Sequence, residues 1–101
     1  MTSGITASKC TSCGHQTFPP RVWCPVCGSA ELAEVNVAGG EVAESTVLRR
    51  VVGGALDEPV RIGAVRLDGG GIAIARLEQG CDSGDTVQLL DDNGAPVARP
   101  R

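Results

Sequence analysis

The chain has 101 residues, with nine Lys or Arg against twelve Asp or Glu, a net charge of -3 and a pI near 5.0. That length fits one domain, or one small module leaning on another, and the acidity argues against a nucleic-acid phosphate backbone as the main partner. One Trp, one Phe and no Tyr leave little aromatic material for a core, so something else has to supply cohesion.

Met1 to Lys9 is small and polar and reads as a frayed lead-in. It has no apolar run of the kind a signal peptide needs, and no stretch of the chain is long and apolar enough to cross a bilayer. Next come Cys10-Thr11-Ser12-Cys13-Gly14 and Cys24-Pro25-Val26-Cys27-Gly28. Each C-x-x-C turn brings two thiolates to one side of a tight loop, and two such loops complete a tetrahedral set of ligands. Gly14 and Gly28 fall where the chain must turn sharply to aim N–H groups at sulfur, with the positive φ that glycine tolerates. The plainer reading is four free or disulfide-bonded cysteines. The spacing favours Cys10, Cys13, Cys24 and Cys27 as metal ligands and structural Zn2+ as the ion, because zinc suits four thiolates in a closed site. A structural zinc in a small peptide contributes on the order of 10–16 kcal/mol to folding, which offsets the thin core. Paired C-x-x-C without a signal peptide reads as reduced cysteine and places the protein in the cytoplasm.

Between the knuckles, Pro19-Pro20 predicts a stiff, extended crossing, flanked by Phe18 and Trp23. The bland role for these two rings is to shield the metal and form a satellite core. The sharper one is docking on a partner. From Leu32 the pattern changes to short strands with glycine punctuation. Val35 and Val37 alternate with polar residues. Glu41 to Val52 reads as one long strand and Gly53 to Pro59 as a loop. Val60 to Leu67, a turn at Asp68-Gly69-Gly70-Gly71, and Ile72 to Leu77 form a hairpin. Thr86 to Leu90 is a further strand, Asp92-Asn93-Gly94 a turn, and Pro96 to Ala98 a short edge strand. About five strands in so few residues close most economically into a small Greek-key barrel of the OB type, with a small sandwich as the alternative.

No nucleophile stands beside a base. Cys81, in a Gly-Cys-Asp loop, reads as a packing residue. His15 has no vacancy to fill among four cysteines. Arg49, Arg50, Arg61, Arg66 and Arg76 either make a basic face for phosphate groups or, more plainly, are solvated strand positions.

Several stretches together resemble a known family. They are Cys10-x-x-Cys13-Gly14, Phe18-Pro19-Pro20-Arg21, Cys24-Pro25-x-Cys27-Gly28-Ser29, Gly40-Glu41-Val42 with Ser45-Thr46-Val47, Ala64-Val65-Arg66-Leu67-Asp68 and Gly84-Asp85-Thr86-Val87. They resemble the small bacterial and archaeal proteins that join a rubredoxin-like zinc ribbon to an acyl-CoA-associated OB-fold, domain-of-unknown-function family thirty-five. The resemblance runs from residue 10 to about 98. Members often carry a helical segment before the ribbon; here only Met1 to Lys9 stands there, so roles assigned to that segment are not carried over. The resemblance implies an all-β chain, with an N-terminal rubredoxin-like zinc ribbon over 1–33 and a five-stranded OB-fold barrel over 34–101. It also implies a non-catalytic accessory subunit in a hetero-oligomer with a thiolase-like enzyme: a thiolase, a hydroxymethylglutaryl-CoA synthase or a lipid-transfer-type aldolase. Acyl-CoA would be met through that partner. The docking surface expected is the Phe18–Trp23 link or unpaired barrel edges. Two other classes compete: a rubredoxin-like iron redox protein and a zinc-ribbon/OB nucleic-acid binder. Ten residues between Cys13 and Cys24 with few rings speak against the first, and negative charge with few stacking rings against the second.

Overall fold

The computed structural model describes residues 2–48, 51–52, 55–56 and 60–101. Among these the chain is all-β, with no helix, and so no helix long and apolar enough to cross a membrane. The first four strands are β1 (Thr2–Ser3), β2 (Ile5–Cys10), β3 (Gln16–Thr17) and β4 (Leu32–Val37). β2 is the middle of a three-stranded antiparallel sheet between β3 and β4. The expected fraying lead-in is therefore corrected: Ile5 and Ala7 are 2% and 0% exposed. The strand was hard to see because its inward positions include the small Ala7 and Ser8, which bury without raising hydrophobicity. β4 spans the 33/34 position at which the sequence divides the chain, and it pairs with β2 along its whole length.

The remaining strands are β5 (Gly39–Leu48), β6 (Val51–Val52), β7 (Ala55–Leu56), β8 (Val60–Leu67), β9 (Ile72–Leu77), β10 (Thr86–Asp92) and β11 (Ala95–Pro100). Five of them close into a barrel in the order β5-β8-β9-β11-β10 and back to β5. Every contact in that ring is antiparallel except β9 with β11. This is the OB-type closure, not the sandwich. Pro96 to Ala98, expected as an edge, lies inside β11, which is held between β9 and β10. The barrel edges expected to remain unpaired are thus used up by closure, which gives each strand two neighbours. Within the single strand expected over 41–52 lie two described strands, β5 as far as Leu48 and β6, and β6 pairs with β7, which falls in the 53–59 stretch expected to be loop. Arg49, Arg50, Gly53, Gly54, Asp57, Glu58 and Pro59 lie outside the described residues.

Local chemistry explains the closure. β5 must pair with β10 at its start and with β8 throughout. A bulge at Ala43, between Val42 opposite Val65 and Glu44 opposite Ala64, bends it for both tasks. At Gly40 a side chain would run into the Arg66 carbonyl, so the strands approach there only because the residue is glycine. On β9 the pattern is inverted from intuition: Ala73 and Ala75 face inward, while Ile72 and Ile74 are exposed. A five-stranded barrel is narrow, and small residues fit its lumen.

One core serves both units. Ile5, Ala7 and Val37 of the ribbon sheet join Val42, Val65, Val87 and Leu89 of the barrel in a single buried cluster, with Phe18 packed against it. β1 lies along β10 beyond the reach of β5, pairing Thr2 with Asp91 and Ser3 with Leu90. The Gly4 N–H donates to the Leu89 carbonyl at 2.7 Å.

Two measurements check this packing. Leu89 is among the largest fully buried side chains, and Leu89→Ala should lower unfolding free energy by about 2–5 kcal/mol, read from urea midpoints. Arg99 on β11 forks onto the Glu78 carboxylate, with Nε on Oε1 and Nη2 on Oε2 at 3.4 Å. The Arg99 hydrogen bond, before any other influence, holds the Glu78 carboxyl below its ordinary 4.5. A depressed carboxyl contributes stability above that ordinary value and loses it as pH falls through the lower folded value. Glu78→Gln should therefore lower stability near neutrality, where the pair contributes in full, and converge with wild type in acid, which flattens the stability–pH curve below about pH 4.5. An unchanged acid slope would show that the pair carries no linkage.

Candidate metal centre

The two knuckles repeat one construction. In the first, the Cys10 N–H donates to the His15 carbonyl at 2.9 Å and the Gly14 N–H to the Cys10 carbonyl at 2.9 Å. In the second, the Cys24 N–H donates to the Ser29 carbonyl at 2.7 Å and the Gly28 N–H to the Cys24 carbonyl at 2.9 Å. Gly14 and Gly28 adopt φ of 80° and 78°, the turn that the sequence pattern calls for. The knuckles are tied to each other through Thr11, whose N–H and hydroxyl both donate to the Glu31 carbonyl at 2.9 Å.

This construction brings all four sulfurs within 4.8 Å of one another. Cys10 Sγ lies 3.5 Å from Cys27 Sγ, and Cys13 Sγ lies 3.6 Å from Cys24 Sγ. A disulfide needs about 2.05 Å, so these are free thiols. Four sulfurs at about 2.3 Å around one ion stand about 3.8 Å apart, which is close to the spacing here. The donor set therefore fits a structural metal, with no position left open for substrate. N–H groups point at sulfur as well: Cys13 N lies 3.5 Å from Cys10 Sγ and Val26 N 3.4 Å from Cys24 Sγ.

Electrostatics point the same way. The Cys13 N–H, ahead of all else, lowers the Cys10 thiol to about 6, and the Cys27 N–H likewise lowers Cys24. At Cys13 the His15 N–H pulls down, but desolvation and the neighbouring thiols push it up to about 12. At Cys27 the Ser29 N–H pulls down, and Cys10 and desolvation prevail to raise it. Without a cation, ionisation of Cys10 and Cys24 works against that of Cys13 and Cys27; a divalent ion removes that conflict.

The other residues singled out from the sequence lie apart from this group. His15 is exposed and contributes its carbonyl, not its ring, to the first knuckle. Cys81 is 0% exposed, and its thiol donates to the Ala98 carbonyl at 3.6 Å. Burial, above all, raises its pKa. It is a packing residue, as expected. The shielding role given to both rings is corrected for one of them. Phe18 joins the shared core, but Trp23 is 62% exposed, because its neighbour Cys24 is turned inward to the other thiols. Pro19 follows Phe18 through a cis peptide bond. Arg61, Arg66 and Arg76 pair with Asp82, Glu41 and Asp92, so their charge is matched on the barrel surface. Two residues that sequence reasoning passed over fasten the ribbon. The Ser8 hydroxyl accepts from the Arg21 N–H at 3.1 Å, and the Gln16 amide donates to the Asp68 and Gly70 carbonyls at 3.1 and 2.9 Å. No spacing in the sequence links Gln16 to a turn more than fifty residues away.

Purified chain should carry about one equivalent of divalent metal, and Cys24→Ser should lose it and melt at lower temperature. Full metal content and unchanged melting in that variant, by elemental analysis and calorimetry, would remove Cys24 from the ligand set.

Comparison with known proteins agrees with the geometry. Residues 4–33 match the ChsH2 rubredoxin-like zinc ribbon domain. A DUF35 domain-containing scaffold protein of Pyrococcus furiosus is 33% identical over 75 residues, covering 72% of this chain and 54% of the relative. The chain thus spans about half the length of that relative. Among solved structures, one described as an Ltp2-ChsH2(DUF35) aldolase has a TM-score of 0.73 at 25% identity, over 96% of this chain and 84% of that one. A DUF35 protein of unknown function from Sulfolobus solfataricus shares the fold, with a TM-score of 0.71 at 22% identity over 97% of this chain and 76% of that one. Residues 4–33 are similar to a ChsH2-type zinc ribbon, here set on an OB barrel, and the resemblance to the DUF35 family holds both in sequence and in fold.

Proposed function

We propose that this chain is a non-catalytic accessory subunit that binds and stabilises a thiolase-like acyl-CoA enzyme and shapes its CoA or acyl site. The observation that carries the reading is the likeness, over 96% of the chain, to the structure described as an Ltp2-ChsH2(DUF35) aldolase. The scaffold description of the Pyrococcus relative supports it. Within this chain, the four metal-site cysteines face one another and Cys81 is sealed in the core, so neither offers a poised nucleophile. The partner would supply the catalytic groups. We propose zinc at Cys10, Cys13, Cys24 and Cys27, where it would hold the knuckles closed and take no part in chemistry. Free thiols throughout fit a reducing compartment such as the cytoplasm.

With the barrel closed, docking falls to side-chain surface and not to strand edges. The ribbon tip presents Val22, Trp23 and Val26 at 79%, 62% and 66% exposure. Large apolar side chains gathered on a small unit are the kind that anchor interfaces. The outer face of β8 and β9 is one that OB barrels often use for nucleic acids. Here it carries Ile72 and Ile74 in place of stacking rings, which favours the subunit reading over nucleic-acid binding. The iron alternative is separated by colour, since a zinc-loaded chain is colourless.

Co-expression with a thiolase-like enzyme encoded beside it should give a stable hetero-oligomer by co-purification and light scattering. Trp23→Ala should weaken that complex by roughly 2 kcal/mol or more while leaving the metal in place. A wild-type chain that elutes alone beside every such enzyme would overturn the subunit reading. A complex indifferent to Trp23 would move the docking surface elsewhere.

A further inference from the structure

Among the described residues Gln16 is one of two buried polar ones, 5% exposed, and it sits three residues after Cys13. Its side-chain amide donates to Asp68 and Gly70, the carbonyls of the β8–β9 turn. The turn is shaped to receive it. A Cβ on Gly69 would stand 3.0 Å from Gln16 Oε1, and one on Gly71 would stand 3.0 Å from the Gln16 carbonyl oxygen. The run of glycines leaves the ribbon room to lie against the hairpin.

Asp68 is a junction. Its carbonyl accepts from Gln16, its N–H donates to the Gly39 carbonyl at 3.0 Å where β5 begins, and its carboxylate meets Arg101 at 3.0 Å. On the other side, Gln16 belongs to β3, a strand of two residues paired to β2 at Ser8 and Lys9. So short a strand has little stability of its own. Its position depends on the first knuckle, where the Cys10 N–H grips the His15 carbonyl.

We propose that Gln16 is a latch that couples metal occupancy of the ribbon to the order of the 68–71 turn and of the β5 start behind it. Loss of the ion opens the first knuckle, β3 drifts from β2, and the Gln16 amide leaves two carbonyls of the turn. The barrel then senses whether the ribbon is loaded. This rests on the four thiols holding a metal and is independent of docking.

Residue-resolved amide exchange by NMR tests it on the intact chain, zinc-loaded and chelator-treated. The reporters are the turn amides: Leu67, bonded to Gly71; Gly70, bonded to Leu67; and Asp68, bonded to Gly39. Val42 and Gly84, on the Asp85 side of the barrel, are the controls. Chelation should speed the turn amides by about tenfold or more and leave the controls within about twofold. In Gln16→Leu, which keeps bulk but has no donor, the turn amides should be fast with zinc bound, and chelation should add little. Gln16→Asn, one methylene shorter, serves if the leucine variant does not fold. Turn amides that ignore chelation in a chain that binds zinc overturn the coupling alone, as does a variant whose turn still responds like wild type. Uniform loss of protection, controls included, overturns a local latch. A chain that takes up no zinc overturns the metal reading and the coupling together.

Discussion

Four thiols held within 4.8 Å repel one another as they ionise, and only a cation among them turns that repulsion into cohesion. The two knuckles are built around this constraint. Each spends its backbone hydrogen bonds on closing a turn and pointing N–H groups at sulfur, so neither forms an extended strand of its own. What lies between and beside them, β3 and the Phe18–Trp23 link, has no independent means of keeping its place. It is positioned by the closed cluster on one side and by the barrel on the other.

The barrel in turn is not a separate body to which a ribbon was appended. Ile5, Ala7 and Val37 fill the same core as Val42, Val65, Val87 and Leu89. β1 lengthens the seam by taking the part of β10 that β5 leaves free. In a chain of this size, apolar burial is scarce, and sharing one core between two units uses it twice. It follows that a change in the ribbon is felt as repacking of the barrel, and not as the swing of a tethered finger.

The metal site was legible because thiolate chemistry imposes a spacing and a glycine that survive in one dimension. The central hairpin was legible because Val60 to Leu67 and Ile72 to Leu77 alternate about an obvious turn. The sequence was silent where structure depends on distant partners. β2 is written in Thr, Ala and Ser, and its burial comes from β4 and the barrel rather than from its own hydrophobicity. Pro96 to Ala98 looked like an edge, since proline breaks a ladder, yet β11 is an interior strand with two neighbours. Trp23 looked like core because it is large and apolar; the inward turn of Cys24 puts it outside. Gln16 carried no signal at all, for its partners are main-chain carbonyls of a remote turn.

The alanine lining of β9 sets a division of labour between the two sides of the barrel wall. Inside, Ala73 and Ala75 are each 1% exposed, so a larger side chain at either has to displace its neighbours. Outside, Ile72 and Ile74 are 56% and 60% exposed and stand apart from the buried cluster. A lineage of such chains can therefore rewrite the outer face residue by residue, exchanging what it recognises, while the barrel itself passes unchanged from one descendant to the next.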